Sequence, residues 1–258
     1  MSKGKVLITV RIALISDIHG NLPALETVLE DIKKRTVDKI ICLGDLIGKG
    51  PSSGEVIDIC RNTCDIVIQG NWDIGIYEHF IKISQDRSSD VNDKVRWYIN
   101  SMTPEQCEYM GTLPHSTEFY LSGKLVRLFH AHPRDFNRYF SDSPIEQRME
   151  LFDYSDASKD KKAADVAIYA DIHGAYMQIV SDGRLLLNIG SVGNPLDIKQ
   201  ASYAILDGEE NDGASFGVQF IRVPYDIERA IMIAKEQHVP DLDGYISELR
   251  TAKYFYRT

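Results

Sequence analysis

Five short apolar runs in this chain each end in side chains of the kind that bind metal ions. IALIS leads into Asp17-Ile18-His19-Gly20-Asn21, KIICL into Gly44-Asp45, and DIVIQ into Gly70-Asn71-Trp72-Asp73. LVRLF is followed by His130-Ala131-His132-Pro133, and VAIYA by Asp171-Ile172-His173-Gly174. Carboxylates, imidazoles and a carboxamide together suit divalent transition ions. If the runs are strands whose C-terminal ends align, all these loops meet on one edge. The chemistry of such a cluster is metal-assisted hydrolysis of a phosphate ester.

The elements needed to align the loops can be read from the pattern. Asn21 caps and Pro23 opens a helix with Leu22, Leu25, Val28, Leu29 and Ile32 on one face. A strand at 37–43, a helix carrying Val56, Ile57 and Ile59, and a strand ending at Gln69 continue a βαβ alternation, which implies a parallel sheet. Helices are expected near 75–85 and 90–101. A third begins at Thr103-Pro104-Glu105-Gln106, which reads as a capping box. Stretches 74–115 and 133–163 interrupt the alternation and are expected to form a cap over the site, within a single domain spanning 1–258. Strands at 184–189, 202–206 and 218–223, divided by Asp-Gly and Asn-Asp-Gly turns, are expected to form antiparallel hairpins of a second sheet. Helices near 226–236 and 241–251 close the chain, and the residues ahead of Val6 are expected to be disordered.

Composition narrows the class. At 258 residues and 43% hydrophobic content the chain can build one large α/β domain, and a formal net charge of −9 argues against general nucleic-acid or anionic-membrane binding. No signal peptide or membrane-length apolar run is visible, so the expected compartment is the cytoplasm. Cys42, Cys60, Cys64 and Cys107 read as reduced thiols, since no second pair completes a zinc site with Cys60 and Cys64.

The ordered pattern Asp-x-His, Gly-Asp, Gly-Asn-x-Asp, His, x-x-His resembles the calcineurin-like metallophosphoesterase superfamily. It is most similar to the small prokaryotic phosphodiesterase branch that includes dinucleoside tetraphosphate hydrolases. The resemblance extends through Gly190-Ser191-Val192-Gly193-Asn194-Pro195 and Val223-Pro224-Tyr225-Asp226. It implies a four-layer αββα sandwich with a small helical cap. It also implies two divalent ions, manganese or iron foremost, with zinc, nickel, cobalt or magnesium open. Asp17, His19 and His173 would bind the first ion, Asn71 and His130 the second, and Asp45 would bridge them. Asp45, Asp17 and His130 form the implied catalytic set around a metal-bridging hydroxide. The implied substrate is a small phosphodiester or nucleotide phosphoanhydride; an oligomer is left open.

Two positions depart from the family pattern. Asp171 stands where a histidine usually completes the second metal site. A third anionic ligand beside Asp17 and Asp45 leaves the loaded core neutral rather than positive. The expectation is weaker attraction for anions and a preference for manganese, magnesium or iron at that position. Trp72 stands where many relatives carry a histidine near the leaving group. Trp donates no catalytic proton, so good leaving groups are favoured over alkoxides. Trp72 stacks on a substrate base or packs in the core. Lys49, His132, Arg134 and Arg138 are candidates to meet phosphate, or are solvated loop charges.

Each assignment has an ordinary alternative: Asp17 or Asn21 as a helix cap, Asn71 as a turn residue, His130 as a strand-end histidine. The competing function is a catalytically weakened protein on the same scaffold that binds metal or nucleotide in a regulatory role. A purely structural metal site fits less well, because Gly-rich loops suggest an open site.

Overall fold

The apolar runs become strands because both of their faces find cover. In the computed structural model, which describes residues 9–86, 91–155, 158–180 and 182–255, β1 (Thr9–Ile15) is followed by α1 (Leu22–Lys33), β2 (Lys39–Cys42), α2 (Ser53–Thr63) and β3 (Ile66–Val67). β1 pairs in parallel with β2, and β2 with β3. Along β1, Ile12 and Leu14 enter one apolar core while Ala13 and Ile15 enter another. This is the period-two alternation of a strand buried on both sides. α1 begins as expected: Asn21 Oδ1 accepts from the Ala24 amide at 3.3 Å, and Leu25, Val28 and Ile32 are buried. The residues ahead of Val6 lie outside the described residues.

α3 (Asn71–Ser84), α4 (Asp93–Asn100) and α5 (Pro104–Gly111) come next. The Thr103–Gln106 capping box forms in both directions, at 2.9 and 3.2 Å. Ile76, Tyr98, Cys107 and Met110 from these helices share the core under α1 and α2. β4 (Ser116–Leu121) and β5 (Lys124–Phe129) form a hairpin. After α6 (Ile145–Glu150) come β6 (Val166–Tyr169), β7 (Tyr176–Ile179) and β8 (Leu185–Asn188), giving a second sheet of order β4-β5-β6-β8-β7. The local pattern does not announce β4, β7 or α6. Both strands are sheet edges of mixed polarity, made by their neighbours rather than by their own residues.

β9 (Ala201–Glu209) and β10 (Gly217–Val223) correct the expected C-terminal sheet. They do form an antiparallel hairpin, but β9 pairs with β1, so the first sheet runs β10-β9-β1-β2-β3. β8 joins the second sheet instead, parallel to β6. β9 is buried along nearly its whole length, which requires a central position. Asp207-Gly208, read as a turn, lies inside β9. Leu121 packs so closely that a Cβ at Gly208 would come within 2.4 Å of its side chain.

Ile12, Leu14 and Ile41 of the first sheet meet Val126, Leu128, Ile168 and Leu187 of the second in the core between the sheets. α7 (Ile227–Glu236) and α8 (Leu242–Thr251) pack on each other through Ala230, Ile231, Tyr245 and Leu249. The architecture is α/β: two mixed sheets flanked by helices. No helix among the described residues is long and apolar enough to cross a membrane.

Arg127 ties the 133–163 stretch to the second sheet. Its side chain is fully buried. It donates to Glu118 Oε2 at 2.7 Å, to the Phe152 and Asp153 carbonyls at 3.0 Å and to the Lys162 carbonyl at 3.1 Å. Glu118 Oε1 accepts in turn from the Lys159 and Asp160 amides. Removing the guanidinium would leave Glu118 Oε2 and several carbonyls without their donors. Arg127→Met is therefore expected to cost about 3–5 kcal/mol. Urea unfolding would check this, and a loss below about 1 kcal/mol would show that the buried pair contributes little.

Candidate metal centre

The C-terminal ends of β1, β2, β3, β5 and β6 meet at one edge, and the loops there are stitched together by backbone hydrogen bonds. The Asp17 amide donates to the Gly44 carbonyl, His19 to Asp45 and Gly20 to Leu46, at 2.9–3.0 Å. The 190–194 loop closes over the same segment: the Val192 amide bonds to the Ser16 carbonyl, and the Gly193 amide and Ser191 hydroxyl to that of Asp17. Asp17, His19, Asp45, Asp171 and His173 all have positive φ, between 49° and 63°. Side-chain-bearing residues adopt this conformation at a cost and mostly where the surroundings enforce it. Gly70 permits a close approach, because a Cβ there would lie 2.2 Å from Asp45 Oδ1.

All seven residues expected to bind metal come together. Asp17 Oδ1 lies 3.3 Å from His173 Nε2 and 3.9 Å from the Nε2 atoms of both His19 and His130. Asp45 turns one oxygen to each side, Oδ2 at 3.5 Å from His19 and Oδ1 at 3.4 Å from His130. Asp171 Oδ1 is 3.7 Å from His130 Nε2. Among the described residues, two groups have the spacing to hold an ion: Asp17 with His19 and His173, and Asp17 with Asp45 and His130. The second group also has Asn71, whose Oδ1 lies 3.0 Å from His130 Nε2.

Each imidazole is oriented by a backbone carbonyl. Nδ1 of His19 donates to Ile47 at 3.0 Å, that of His130 to Leu43 at 2.7 Å and that of His173 to Asn194 at 2.6 Å. A proton held on Nδ1 leaves Nε2 as the atom that faces the cluster, the usual arrangement around a bound metal. Two further observations fit cations here. Asp17 Oδ1 is buried and accepts no aligned hydrogen bond among the described residues. The Asn71 carboxamide oxygen faces both Asp45 oxygens at 3.1 and 3.2 Å. Acceptors facing one another are reconciled by turning the amide or by a cation between them.

Buried charge dominates the electrostatics. Burial pushes the Asp45 carboxyl up. Burial also raises Asp17, but the imidazoles of His173, His130 and His19 override it and hold Asp17 well below its usual range. Burial and the nearby His173 lower His19. Burial opposes charge on His130 as well, yet Asp45, Asp17 and Asp171 around it raise its pKa well above the ordinary value. Asp73 is fully buried and accepts three backbone amides, from Asp45 at 2.9 Å, Leu46 at 3.0 Å and Gly70 at 2.8 Å. Burial, then Asp45, pushes Asp73 up to about 7.

A cleft of about 680 Å³ opens from the cluster, and Lys49, Trp72, Lys94, Tyr98, Arg138 and Tyr245 are among its walls. Trp72 stands edge-on to His19 with ring centroids 5.9 Å apart, and Lys49 Nζ bonds Glu248 at 2.7 Å. His132 and Arg134 are not brought to the cleft. His132 is buried beside Asp135 and edge-on to Tyr139, and Arg134 pairs with Asp153 at 3.1 Å. The chain turns after Pro133, so Arg138 rather than Arg134 returns to the site. Sequence reading assigned no role to Glu248, which is buried on α8 and accepts from Asn194 Nδ2 at 3.0 Å. Nothing local marks its link to the site, because Asn194 and Lys49 are 54 and 199 residues away. Asp73 did carry a signal, three residues after Gly70 at a helix start.

Comparison with known proteins agrees with this geometry. The sequence profile of the calcineurin-like phosphoesterase superfamily domain matches residues 10–211. An uncharacterized protein of Methanocaldococcus jannaschii is 31% identical over 242 residues, covering 90% of this chain and 95% of that protein. A metallophosphoesterase from Sphaerobacter thermophilus superposes with a TM-score of 0.71 at 24% identity, covering 94% of this chain and 99% of its own. A symmetrical bis(5'-nucleosyl)-tetraphosphatase of Baumannia cicadellinicola is 36% identical over 80 residues, only 30% of this chain and 27% of that enzyme. With the profile spanning most of the sequence and a relative aligned almost end to end, the chain belongs to the calcineurin-like phosphoesterase superfamily.

Proposed function

We propose that this chain is a dinuclear metal-dependent phosphoesterase acting on phosphodiester or nucleotide phosphoanhydride bonds. The observation that carries the reading is the pair of ligand groups meeting at Asp17, with Asp45 presenting one oxygen to each side. Asp17, His19 and His173 would hold one ion, and Asn71, His130 and Asp171 the other, with Asp45 between them. Bound divalent ions would supply Lewis acidity, drawing charge from phosphoryl oxygens and making water a competent nucleophile near neutral pH.

The chain's own residues supply the rest. The carbonyls of Ile47, Leu43 and Asn194 keep the imidazoles aimed inward. Asp73 holds the Asp45 and Gly70 backbones in register. Trp72 offers no transferable proton at its side of the cleft, so a leaving group that needs little protonation is best served there. That favours phosphoanhydrides and aryl esters. The cleft adds support for a substrate with a flat apolar part: Trp72, Tyr98, Tyr245 and Phe255 line it, with Lys49 and Lys94 as cations. Lys94 and Tyr98 come from the 74–115 insertion and Arg138 from the 133–163 insertion, which supports reading both as walls that select substrate. The partial similarity to a bis(5'-nucleosyl)-tetraphosphatase supports testing dinucleoside polyphosphates.

Two measurements test the reading. Bis-(p-nitrophenyl) phosphate is expected to be hydrolysed with added manganese and not after chelation. Asp45→Asn is expected to lose more than the roughly 10–100-fold that outer partners of a metal site carry. No turnover with manganese, iron, nickel, cobalt or zinc would favour the weakened, ligand-binding alternative. Asp73→Asn keeps every proposed ligand but replaces one amide-accepting oxygen with a donor. It is expected to weaken manganese binding by about 10–100-fold in isothermal titration, and unchanged affinity would show that Asp45 and Asn71 are positioned without it.

A further inference from the structure

Asp171 is buried, and its partner is Arg138, a cation whose place in the sequence suggested a contact for phosphate or a solvated loop charge. Arg138 Nε donates to Asp171 Oδ2 at 2.5 Å and Nη2 to Oδ1 at 2.7 Å, a two-pronged guanidinium–carboxylate pair. The same Oδ1 lies 3.7 Å from His130 Nε2, so it faces the second ligand group. A carboxylate oxygen has two lone pairs; Nη2 takes one of those on Oδ1, leaving the other for a cation. The geometry is fixed from both sides. The Asp171 amide donates to Asp17 Oδ2 at 3.2 Å. The neighbour of Arg138, Tyr139, accepts at its carbonyl from the Tyr169 hydroxyl at 2.8 Å, two residues before Asp171.

We propose that Arg138 is the positioning residue that allows Asp171 to stand where an imidazole would otherwise serve. The inference rests on the metal-centre reading above. Imidazole offers one donor atom and no charge. Asp171 alone offers a donor atom and a negative charge, which would weaken the hold on an anionic phosphoryl group. Asp171 with Arg138 offers one free donor position and no net charge. The pair thus restores the positive core that a third carboxylate would cancel. The guanidinium also fixes which carboxylate oxygen faces His130.

The test uses the full chain and two titrations: manganese into the protein, then inorganic phosphate into the manganese-loaded protein. Arg138→Met is expected to keep two manganese ions and lose phosphate affinity on the order of tenfold or more. Adding Asp171→His to Arg138→Met replaces the charged pair with a neutral imidazole, and phosphate affinity is expected to return to within about twofold of wild type. Arg138→Lys keeps the charge and loses the fork. It should bind phosphate normally while the second manganese binds more weakly, a result that stands even if the double variant fails to fold. If Arg138→Met binds phosphate as wild type does, the inference is overturned while the metal reading stands. If the loss is not rescued by Asp171→His, Arg138 touches phosphate directly and the charge-balancing role is wrong. A wild-type chain that takes up no manganese would overturn both readings.

Discussion

Four carboxylates, Asp17, Asp45, Asp73 and Asp171, are buried at the same edge of the two sheets, and the rest of the structure answers to that constraint. Like charges removed from water repel and lose hydration, so each needs a compensating partner. Here the partners differ in kind. Asp17 is surrounded by three imidazole Nε2 atoms, Asp73 by three backbone amides and Asp171 by a guanidinium. Asp45 shares His130 and His19 and accepts the Trp72 amide at 2.9 Å. A cluster so rich in anionic oxygen favours bound cations, and this is the physical basis for treating it as a metal centre.

Holding these groups at contact distance strains the backbone. The left-handed φ values of Asp17, His19, Asp45, Asp171 and His173 each cost on the order of 1–3 kcal/mol. What offsets them is the hydrogen bonding between successive loops, together with the packed strands behind. The loops are therefore tied to one another and to the core behind them. The imidazoles repeat the principle on a smaller scale, each with Nδ1 on a main-chain carbonyl that cannot easily move.

The C-terminal helices extend the same network outward. Glu248 on α8 joins Lys49, from the loop after β2, to Asn194, whose carbonyl orients His173. One face of α8 thereby supports the site while Tyr245 lines the cleft. The cleft wall and the orientation of His173 thus draw on the same helix. A change in its packing against α7 would be felt at His173 as well as at the cleft wall.

Much of this was legible in the linear chain. The strand-then-ligand arrangement pointed to all seven clustered residues, because Asp17-x-His19, Gly44-Asp45, Gly70-Asn71, His130 and Asp171-x-His173 each follow an apolar run of the kind a buried strand explains. The parallel β1–β2–β3 unit and the caps at Asn21 and Thr103 were equally local matters. Partnership across the chain was not legible. β9 pairs with β1 because both of its faces must be covered, and Gly208 sits in a strand because Leu121 packs on it. Arg134 and Arg138 look alike as loop cations, yet only Arg138 reaches the cluster, since the fold of the segment after Pro133 decides which side chain returns. By itself the sequence determined which chemistry is available, because side-chain type and strand periodicity are local properties. The tertiary structure alone decided which charges neutralise one another, because that depends on distances between residues far apart in the chain.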